Sequence, residues 1–297
     1  MVTVKKKRIG KQEYYYLEHS MKEGKHTTKK EKYLGKQIPK NMEEIKKQFL
    51  SEIYKERWYP QLEKIKKNYK KEQKLTPKTA KGKNIELFSI RFTYNSQRIE
   101  GSTLTLRETA NLLEKGISPK ERPVRDVKET ETHQRVFYEM LAYKKELSLQ
   151  IVLYWHKMLL GQTKKDLAGQ IRKHQVMIAG SKFTPPFPPE VYPMLMEFFS
   201  WYIKNKDKLH PVELAALVHL KFVTIHPFAD GNGRISRLIM NFVLNKHKWP
   251  MLDIHYENRN SYYNALEKSQ IKSLDSTFVQ WFFKRYIKEY RYFIAQS

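Results

Sequence analysis

The sequence predicts a mostly α-helical protein, a helical bundle with one β-hairpin flap, preceded by a small antiparallel β module and a basic helix. Apolar residues recur at helical spacing over most of residues 85–297. A proline-rich stretch with a glycine at 175–189 interrupts that pattern. Runs of Val, Thr, Ile and Tyr between short breaks fill the N-terminal region. With 40% hydrophobic residues among 297, the chain can bury a sizeable core, which excludes wholesale disorder.

The elements ahead of the bundle form two predicted pieces. Three strands of a meander are predicted at 2–8, 13–20 and 27–34, with breaks at Gly10-Lys11 and Lys22-Glu23-Gly24-Lys25. Apolar positions at helical spacing among Lys and Glu then predict a long basic helix from about 41 to 72, broken near Pro60. The predicted domains are a β module at 1–39, a basic helical linker at 40–84 and the helical domain at 85–297.

The helical domain is predicted to contain a series of helices and one flap. The flap is expected at 175–189, where a short extended segment meets Gly180 and several prolines. The predicted helices are 94–101, 105–113, 124–144, 149–160, 190–204, 212–224, 234–245, 259–267 and 277–295.

Charge and composition limit the function classes. The chain has 57 Lys+Arg against 31 Asp+Glu, a net charge of +26, and residues 1–85 carry 25 Lys+Arg against 10 Glu. This excess fits either a solvated Lys-rich surface or nucleic-acid binding through basic residues interleaved with Tyr14, Tyr15, Tyr16 and Tyr33. The absence of cysteine excludes disulfides, thiol nucleophiles and Cys-ligated zinc. Without a long apolar run or an apolar leader, we expect no membrane partner and a cytoplasmic location.

The segment 226–237, His-Pro-Phe-Ala-Asp-Gly-Asn-Gly-Arg-Ile-Ser-Arg, concentrates the chemistry. It lies between two apolar helices, and Pro227 ends the first of them. Gly231, Asn232 and Gly233 form a turn that leads into a helix N-terminus, where free N–H groups attract an anion. Arg234 and Arg237 share one face of that helix, and the arrangement predicts a polyphosphate site. Two further residues supply chemistry here: Asp230 as an oxygen ligand for Mg²⁺ and His226 as a proton acceptor.

Residues 226–237 match, without a departure, the signature His-Pro-Phe-x-Asp-Gly-Asn-Gly-Arg-x-x-Arg of Fic proteins, and the resemblance extends over about 85–290. It implies a helical bundle with a flap over the active site and the transfer of AMP from ATP to a Ser, Thr or Tyr hydroxyl of a target protein. By resemblance, His226 is the general base and Asp230 holds Mg²⁺ between the α- and β-phosphates. Phosphate contacts would come from Gly231, Asn232, Gly233, Arg234 and Arg237, with Asn232 at the α-phosphate and Arg237 at the γ-phosphate. Phe228 is expected to anchor the loop in the core.

Two other segments resemble parts of this family. Val176, Met177 and Ile178 lie in the predicted flap, whose edge would register a target segment by strand addition. Tyr263 is the candidate residue for stacking on the base. Gln270 stands where related nucleotidyl transferases carry Asn, which leaves the nucleotide choice open.

A second motif, Ser96-x-x-x-Glu100-Gly101, places Ser96 and Glu100 on one helix face. It resembles the inhibitory helix of the Fic subclass that carries this helix N-terminal to the core. By that resemblance Glu100 pairs with Arg237 and occupies the γ-phosphate position. In some relatives this glutamate also serves the hydrolytic removal of AMP, so a reverse activity stays open.

Three interpretations remain on the sequence alone. The first is an autoinhibited protein adenylyltransferase that uses ATP and Mg²⁺ and acts on another protein or on itself. The second is a transferase of another phosphate-containing group, as in the Doc-type kinases, although these usually carry Lys in place of Gly233. The third is a nucleic-acid-binding regulator with a silent Fic site. The oligomeric state, including a homodimer, is left open.

Overall fold

The structure, a computed structural model, describes residues 2–23 and 26–295. The N-terminal strands form an antiparallel sheet in the order β1-β2-β3, which confirms the predicted meander. The strands are β1 (Val2–Ile9), β2 (Gln12–Glu23) and β3 (His26–Gly35). The turn between β1 and β2 is at Gly10-Lys11, as predicted. Of the second predicted break, Lys22 and Glu23 instead continue β2, and Gly24-Lys25 lies outside the described residues.

Helices make up most of the remaining chain, as the apolar periodicity predicts. The basic helix is interrupted at Trp58, next to Pro60, which occupies the first turn of the second segment where its missing N–H has no intrahelical role. The helices are α1 (Met42–Arg57), α2 (Tyr59–Leu75), α3 (Lys78–Ile99), α4 (Leu106–Lys115), α5 (Val124–Ala142), α6 (Leu149–Leu160), α7 (Pro188–Asn205), α8 (Pro211–Ile225), α9 (Asn232–Lys246), α10 (Arg259–Ile271), α11 (Asp275–Glu289) and α12 (Arg291–Ala295).

The chain divides into two compact units, Met1–Lys64 and Ile65–Ser297. In the first unit, α1 contacts β3, as ion pairs link Lys32 to Glu52 and Lys30 to Glu56. Burial of Leu17, Phe49 and Ile53 gives this unit an apolar core.

Helices α8 and α9 form the centre of the second unit. They pack as an antiparallel pair joined by the loop 226–231, and nearly all their side chains are buried. The residues Leu214, Val218 and Phe222 of α8 are fully buried, as are Leu238 and Ile239 of α9. Because both helices are fixed in the core, the short loop between them has a defined position.

The flap differs from the predicted β-hairpin. Its turn is present at 178–181, where the Ser181 N–H donates to the Ile178 carbonyl at 3.1 Å. Its arms carry no ladder of paired strands in the described residues 170–187. The reason is that prolines at 185 and 186 lack the N–H that a ladder requires. A side chain replaces the ladder, since Gln175 Nε2 donates to the Pro185 carbonyl at 2.9 Å.

In the part of the chain that the structure describes, no helix is both long and apolar enough to cross a membrane.

Candidate active site

The loop 226–231 begins in a conformation that few residues adopt. His226 caps α8 with φ +51°, in the left-handed region, and Pro227 follows it. Backbone strain of this kind persists only where the surroundings hold it. Here Arg172 does so: its Nε donates to the His226 carbonyl at 2.8 Å, and its N–H donates to the Pro227 carbonyl at 2.9 Å.

The side chain of His226 presents one nitrogen with a free lone pair. Nδ1 lies 3.2 Å from the Val223 carbonyl, and because a carbonyl only accepts, Nδ1 carries the proton. Nε2 is therefore the acceptor in the neutral ring. Burial lowers the pKa of His226 below 6.5, with the Val223 carbonyl opposing and the Arg172 charge adding to the decrease. The ring is thus neutral at pH 7 and able to take a proton at Nε2.

Asn232 locks the rest of the loop. Its Oδ1 accepts from the Phe228 N–H and its Nδ2 donates to the Phe228 carbonyl, both at 2.8 Å. Phe228 is buried, as expected, and stacks on His156 with ring centroids 3.7 Å apart. The amide of Asn232 is therefore engaged with the main chain, and what it leaves for an anion is its own backbone N–H.

His156 supports the loop from α6. The Gly169 N–H donates to His156 Nδ1 at 2.9 Å, so Nε2 carries the proton and donates to the Asp230 carbonyl at 2.9 Å. Burial lowers its pKa to about 4, so the ring stays neutral near pH 7. Gly231, with φ +81°, leaves room for this ring, because a Cβ there would lie 3.3 Å from it.

The first turn of α9 offers backbone donors to an anion. The N–H groups of Asn232, Gly233 and Arg234 have no acceptor within the helix, as at any helix start. The positive end of the helix dipole adds to their attraction for negative charge. This turn therefore has the donors that an anion site requires, and its role in phosphate binding stays a prediction.

Asp230 lies in a chain of alternating charges. Its Oδ1 accepts from Arg234 Nη2 at 3.1 Å, and its Oδ2 contacts Lys164 Nζ. Arg234 is itself buried and contacts Glu129 on α5. Burial would raise the pKa of Asp230, but the cations outweigh it and lower the pKa to about 2. Asp230 is thus ionised, while the guanidinium of Arg234 is engaged by acidic side chains.

Asp230 has the chemistry of a partial Mg²⁺ shell. No group of three or more His, Asp or Glu side chains is placed to hold a metal within the described residues. Mg²⁺ is commonly bound by one or two carboxylates together with substrate phosphates and water. A single ionised carboxylate beside an anion site fits that pattern, so Asp230 is the residue that would hold the ion.

Arg237 is buried and held by the end of α3. Its Nε donates to Ser96 Oγ and its Nη2 to the Ser96 carbonyl, each at 2.9 Å. Nη2 also donates to Glu100 Oε1 at 2.7 Å, which is the pairing that the family resemblance implies. Burial would lower the pKa of Arg237, but the charge and hydrogen bond of Glu100, together with Tyr262 and Tyr263, outweigh burial and raise it. Arg237 is thus a permanent cation neutralised by Glu100.

The carboxylate of Glu100 also lies against the anion site. A Cβ built on Gly233 would clash with Glu100 Oε1, so glycine is required for this close approach. A second contact holds the same helix end, since Tyr263 OH donates to the Ile99 carbonyl at 3.0 Å. The end of α3 is therefore fastened both to α9 and to α10.

Several of these residues line one open cleft of about 590 Å³, which we call the main cleft. This volume lies in the range of ligand sites. Its flap side is anchored to α10, where the Lys182 N–H donates to Glu267 Oε1 at 2.6 Å. The cleft brings together eight residues of interest: Glu100, Ile178, His226, Gly233, Arg237, Tyr262, Tyr263 and Gln270.

Other predicted residues lie outside the main cleft. Asp230 and Arg234 line a smaller polar side pocket of about 50 Å³, and Glu100 borders both spaces. Met177 on the flap is 90% exposed, and neither it nor Val176 lines the main cleft.

Five site residues were missed by the sequence reasoning: Glu129, His156, Lys164, Arg172 and Glu267. Each acts through a contact with a residue distant in the chain, for example 105 positions from Glu129 to Arg234. A lone His, Lys or Glu on a helix carries no spacing signal, so a single sequence does not reveal such partners.

Residues 146–244 match the Fic/DOC family. The protein adenylyltransferase Fic of Drosophila virilis is 34% identical over 178 residues, which are 59% of this chain and 36% of that protein. The chain thus spans little more than a third of the curated relatives it matches.

Solved structures show the same likeness. A Fic domain containing signaling protein from Bacteroides thetaiotaomicron superposes with a TM-score of 0.71 at 29% identity, over 79% of this chain and 96% of that one. Fic-1 from C. elegans gives a TM-score of 0.68 at 26% identity, over 86% and 77%. The matched region contains the whole segment 226–237, all of α8 and α9 as far as Leu244. This chain therefore contains a Fic domain of the Fic/DOC family.

Proposed function

We propose that this protein is an autoinhibited protein adenylyltransferase, which transfers AMP from ATP to a hydroxyl group of a protein target. One observation carries the proposal: the neutral His226 ring, the anion site at the start of α9 and the Arg237 cation border one cleft closed on one side by the flap turn. This combination of a proton acceptor, phosphate donors and a docking edge fits nucleotidyl transfer to a protein.

His226 serves as the general base. As the target oxygen attacks the α-phosphorus, its proton passes to His226 Nε2, and the bond to the bridging oxygen of the β-phosphate breaks. Pyrophosphate leaves, and AMP remains on the target. The Val223 carbonyl keeps Nδ1 protonated throughout and so aims Nε2 at the hydroxyl.

The phosphates would be bound by the first turn of α9 and by Arg237. Because their side chains are engaged within the protein, Asn232 and Arg234 contribute backbone N–H groups and keep the loop in place. Asp230 would hold Mg²⁺, which neutralises charge on the phosphates and on the departing pyrophosphate. Lys164 and Arg234 keep Asp230 ionised for that role.

Tyr263 and Gln270 would lie at the base and ribose side of the main cleft. Tyr263 is 45% exposed there, so a ring face is available for stacking. Gln270 Nε2 lies 3.3 Å from Thr224 Oγ1, and its amide is the group that would select among nucleotides.

Glu100 is the proposed brake. Its carboxylate lies on Arg237 and against Gly233, where the terminal phosphate of ATP would bind. A carboxylate in that place removes the phosphate's cationic partner and repels the phosphate itself. The reverse hydrolytic use of Glu100 stays a prediction, as do a homodimer and a cytoplasmic location.

The target is proposed to dock on the flap. Its arms carry no ladder between them, so main-chain groups of the arms can pair with a target segment. The exposed Met177 side chain is available to contact that segment.

The test uses three radiolabelled donors with Mg²⁺ and the Glu100→Gly variant. We expect label on protein from α-labelled ATP, none from γ-labelled ATP and little from α-labelled GTP. Label from γ-labelled ATP would instead indicate a Doc-type phosphoryl transfer. His226→Ala in the same background should abolish labelling, whereas His255→Ala should not, because His255 contacts Glu289 and does not line the main cleft.

A second candidate function concerns the β-sheet. Tyr33 packs against Tyr14 and Tyr16, with ring centroids 6.1 and 5.3 Å apart, and Lys7 Nζ lies 4.8 Å from the Tyr16 ring centroid. Tyr33 is 55% exposed, and aromatic rings beside lysines are typical of single-strand nucleic-acid binders. The test is salt-dependent binding of a labelled oligonucleotide to the full chain. Loss of binding in Tyr33→Ala would support this role, and equal binding by both proteins would exclude it.

A further inference from the structure

Asp230, the proposed Mg²⁺ ligand, already contacts a cationic side chain of the protein. Oδ1 accepts from the Gly231 N–H at 2.5 Å and from Arg234 Nη2. Within the described residues, Oδ2 has one hydrogen-bond donor, the ammonium of Lys164. Oδ2 is the oxygen left for a metal ion, so Lys164 and a divalent cation would compete for the same atom.

Lys164 is placed so that its side chain can leave while its backbone stays. Its N–H donates to the Leu160 carbonyl at 2.8 Å, and its carbonyl accepts from the Ala168 N–H at 3.1 Å. The side chain, in contrast, is 28% exposed, similar to the 30% of Asp230. The ammonium therefore has a path to solvent that needs no change in the turn that carries it.

The local charges balance only with Lys164 in place. Arg234 contacts both Glu129 and Asp230, so two acidic groups share one guanidinium. Lys164 supplies the fourth charge and brings this set of four residues to neutrality. A divalent cation thus approaches a neutral set, whereas without Lys164 it would approach a net negative charge.

We propose that Lys164 is a tethered counter-cation that occupies the divalent-cation position on Asp230 until Mg²⁺ displaces it. This inference rests on the metal role that the proposed function gives to Asp230. It assigns to Lys164 a control over metal affinity, because the energy of the Lys164–Asp230 contact must be given up when the metal binds. Contacts that merely support the fold would not have this consequence.

The experiment measures binding of Mn²⁺ alone, as a paramagnetic substitute for Mg²⁺, to the full-length protein by electron paramagnetic resonance of the free ion. Lys164→Met should lower the Kd for Mn²⁺ about tenfold, since one competing charge at contact distance is removed. Lys164→Arg, which keeps the charge, should stay within about twofold of the parent protein. Lys165→Met is the matched control, because Lys165 is the exposed neighbour of Lys164.

The outcomes separate this inference from the proposed function. If Asp230→Asn abolishes the Mn²⁺ site but Lys164→Met leaves the Kd unchanged or higher, the role of Lys164 is wrong and the metal role of Asp230 stands. If Asp230→Asn leaves Mn²⁺ binding unchanged, both are wrong. A tenfold tighter site in Lys164→Met supports the inference even if no AMP transfer is found, because metal binding is read without the reaction.

Discussion

Replacing Glu100 by glycine should release the proposed brake. In the structure, Glu100 Oε1 lies 2.7 Å from Arg237 Nη2, and Arg237 is 1% exposed. A hydrogen bond to a charged group of this kind is worth about 1.5–3 kcal/mol. Glu100 is 28% exposed, which places the contact near the lower end of that range. Since about 1.4 kcal/mol is a factor of ten, we expect AMP transfer to rise by about ten- to thirtyfold.

Glycine is well tolerated at this position. Glu100 follows the last residue of α3 with φ −88°, a value that glycine adopts without strain, and Arg237 keeps both contacts with Ser96. The variant should therefore fold, with Arg237 free for a phosphate. Glu100→Gln separates charge from bulk: it keeps the side-chain volume and removes the repulsion, so we expect an intermediate rate.

The assay follows label from α-labelled ATP to protein, and the melting temperature is recorded with and without ATP. ATP should raise the melting temperature more in Glu100→Gly than in the parent, because a free Arg237 binds the terminal phosphate. Glu121→Gly is the matched control, since Glu121 lies in an exposed loop at φ +57°, where glycine costs nothing. Equal transfer by Glu100→Gly and the parent, with equal stabilisation by ATP, would refute the reasoning.

Three further predictions concern the same cleft. The rate of AMP transfer should rise with pH through a midpoint below 6.5 and stay level above pH 7. The reason is that burial lowers the pKa of His226, which acts as a base when its ring is neutral. A pH–rate profile of the Glu100→Gly variant measures this. Tyr263→Phe removes the hydrogen bond to the Ile99 carbonyl, a neutral contact worth about 1 kcal/mol. Because this bond helps to hold the end of α3 next to Glu100, its loss should raise AMP transfer by about two- to fivefold in the same label assay. Gly233→Ala in the Glu100→Gly background should lower transfer, since its Cβ enters the anion site; unchanged transfer would place the phosphates elsewhere.

The sequence reveals the parts of the site that are continuous in the chain. Two apolar helices around a short loop can be identified from spacing alone, and the structure places them as α8 and α9. The contact between Glu100 and Arg237 was also predicted, but from resemblance rather than from the residues themselves. Local sequence patterns thus locate the loop between α8 and α9, whereas the resemblance to Fic proteins identifies Glu100 as the partner of Arg237.

Contacts set by the tertiary fold could not be predicted in this way. Asn232 and Arg234 are expected at the phosphates from their place in the motif, yet their side chains bind Phe228 and Glu129. The prediction of a β-hairpin for the flap is wrong. The reason is visible in the sequence, because prolines in one arm lack the N–H donors that paired strands require. The role of Gln175 in joining the two arms becomes evident only in the fold.

The contacts at the end of α3 connect nucleotide binding to the proposed brake. Tyr263 donates to the Ile99 carbonyl, one residue before Glu100, and the same ring is the proposed surface for the base. A nucleotide that moves this ring would weaken one attachment of the α3 end, while its terminal phosphate competes with Glu100 for Arg237. Loosening the Tyr263 attachment lowers the cost of breaking the Glu100–Arg237 contact, because both hold the same helix end. The brake should therefore respond to the occupied cleft cooperatively, and the effects of Tyr263→Phe and Glu100→Gly on transfer should be less than additive.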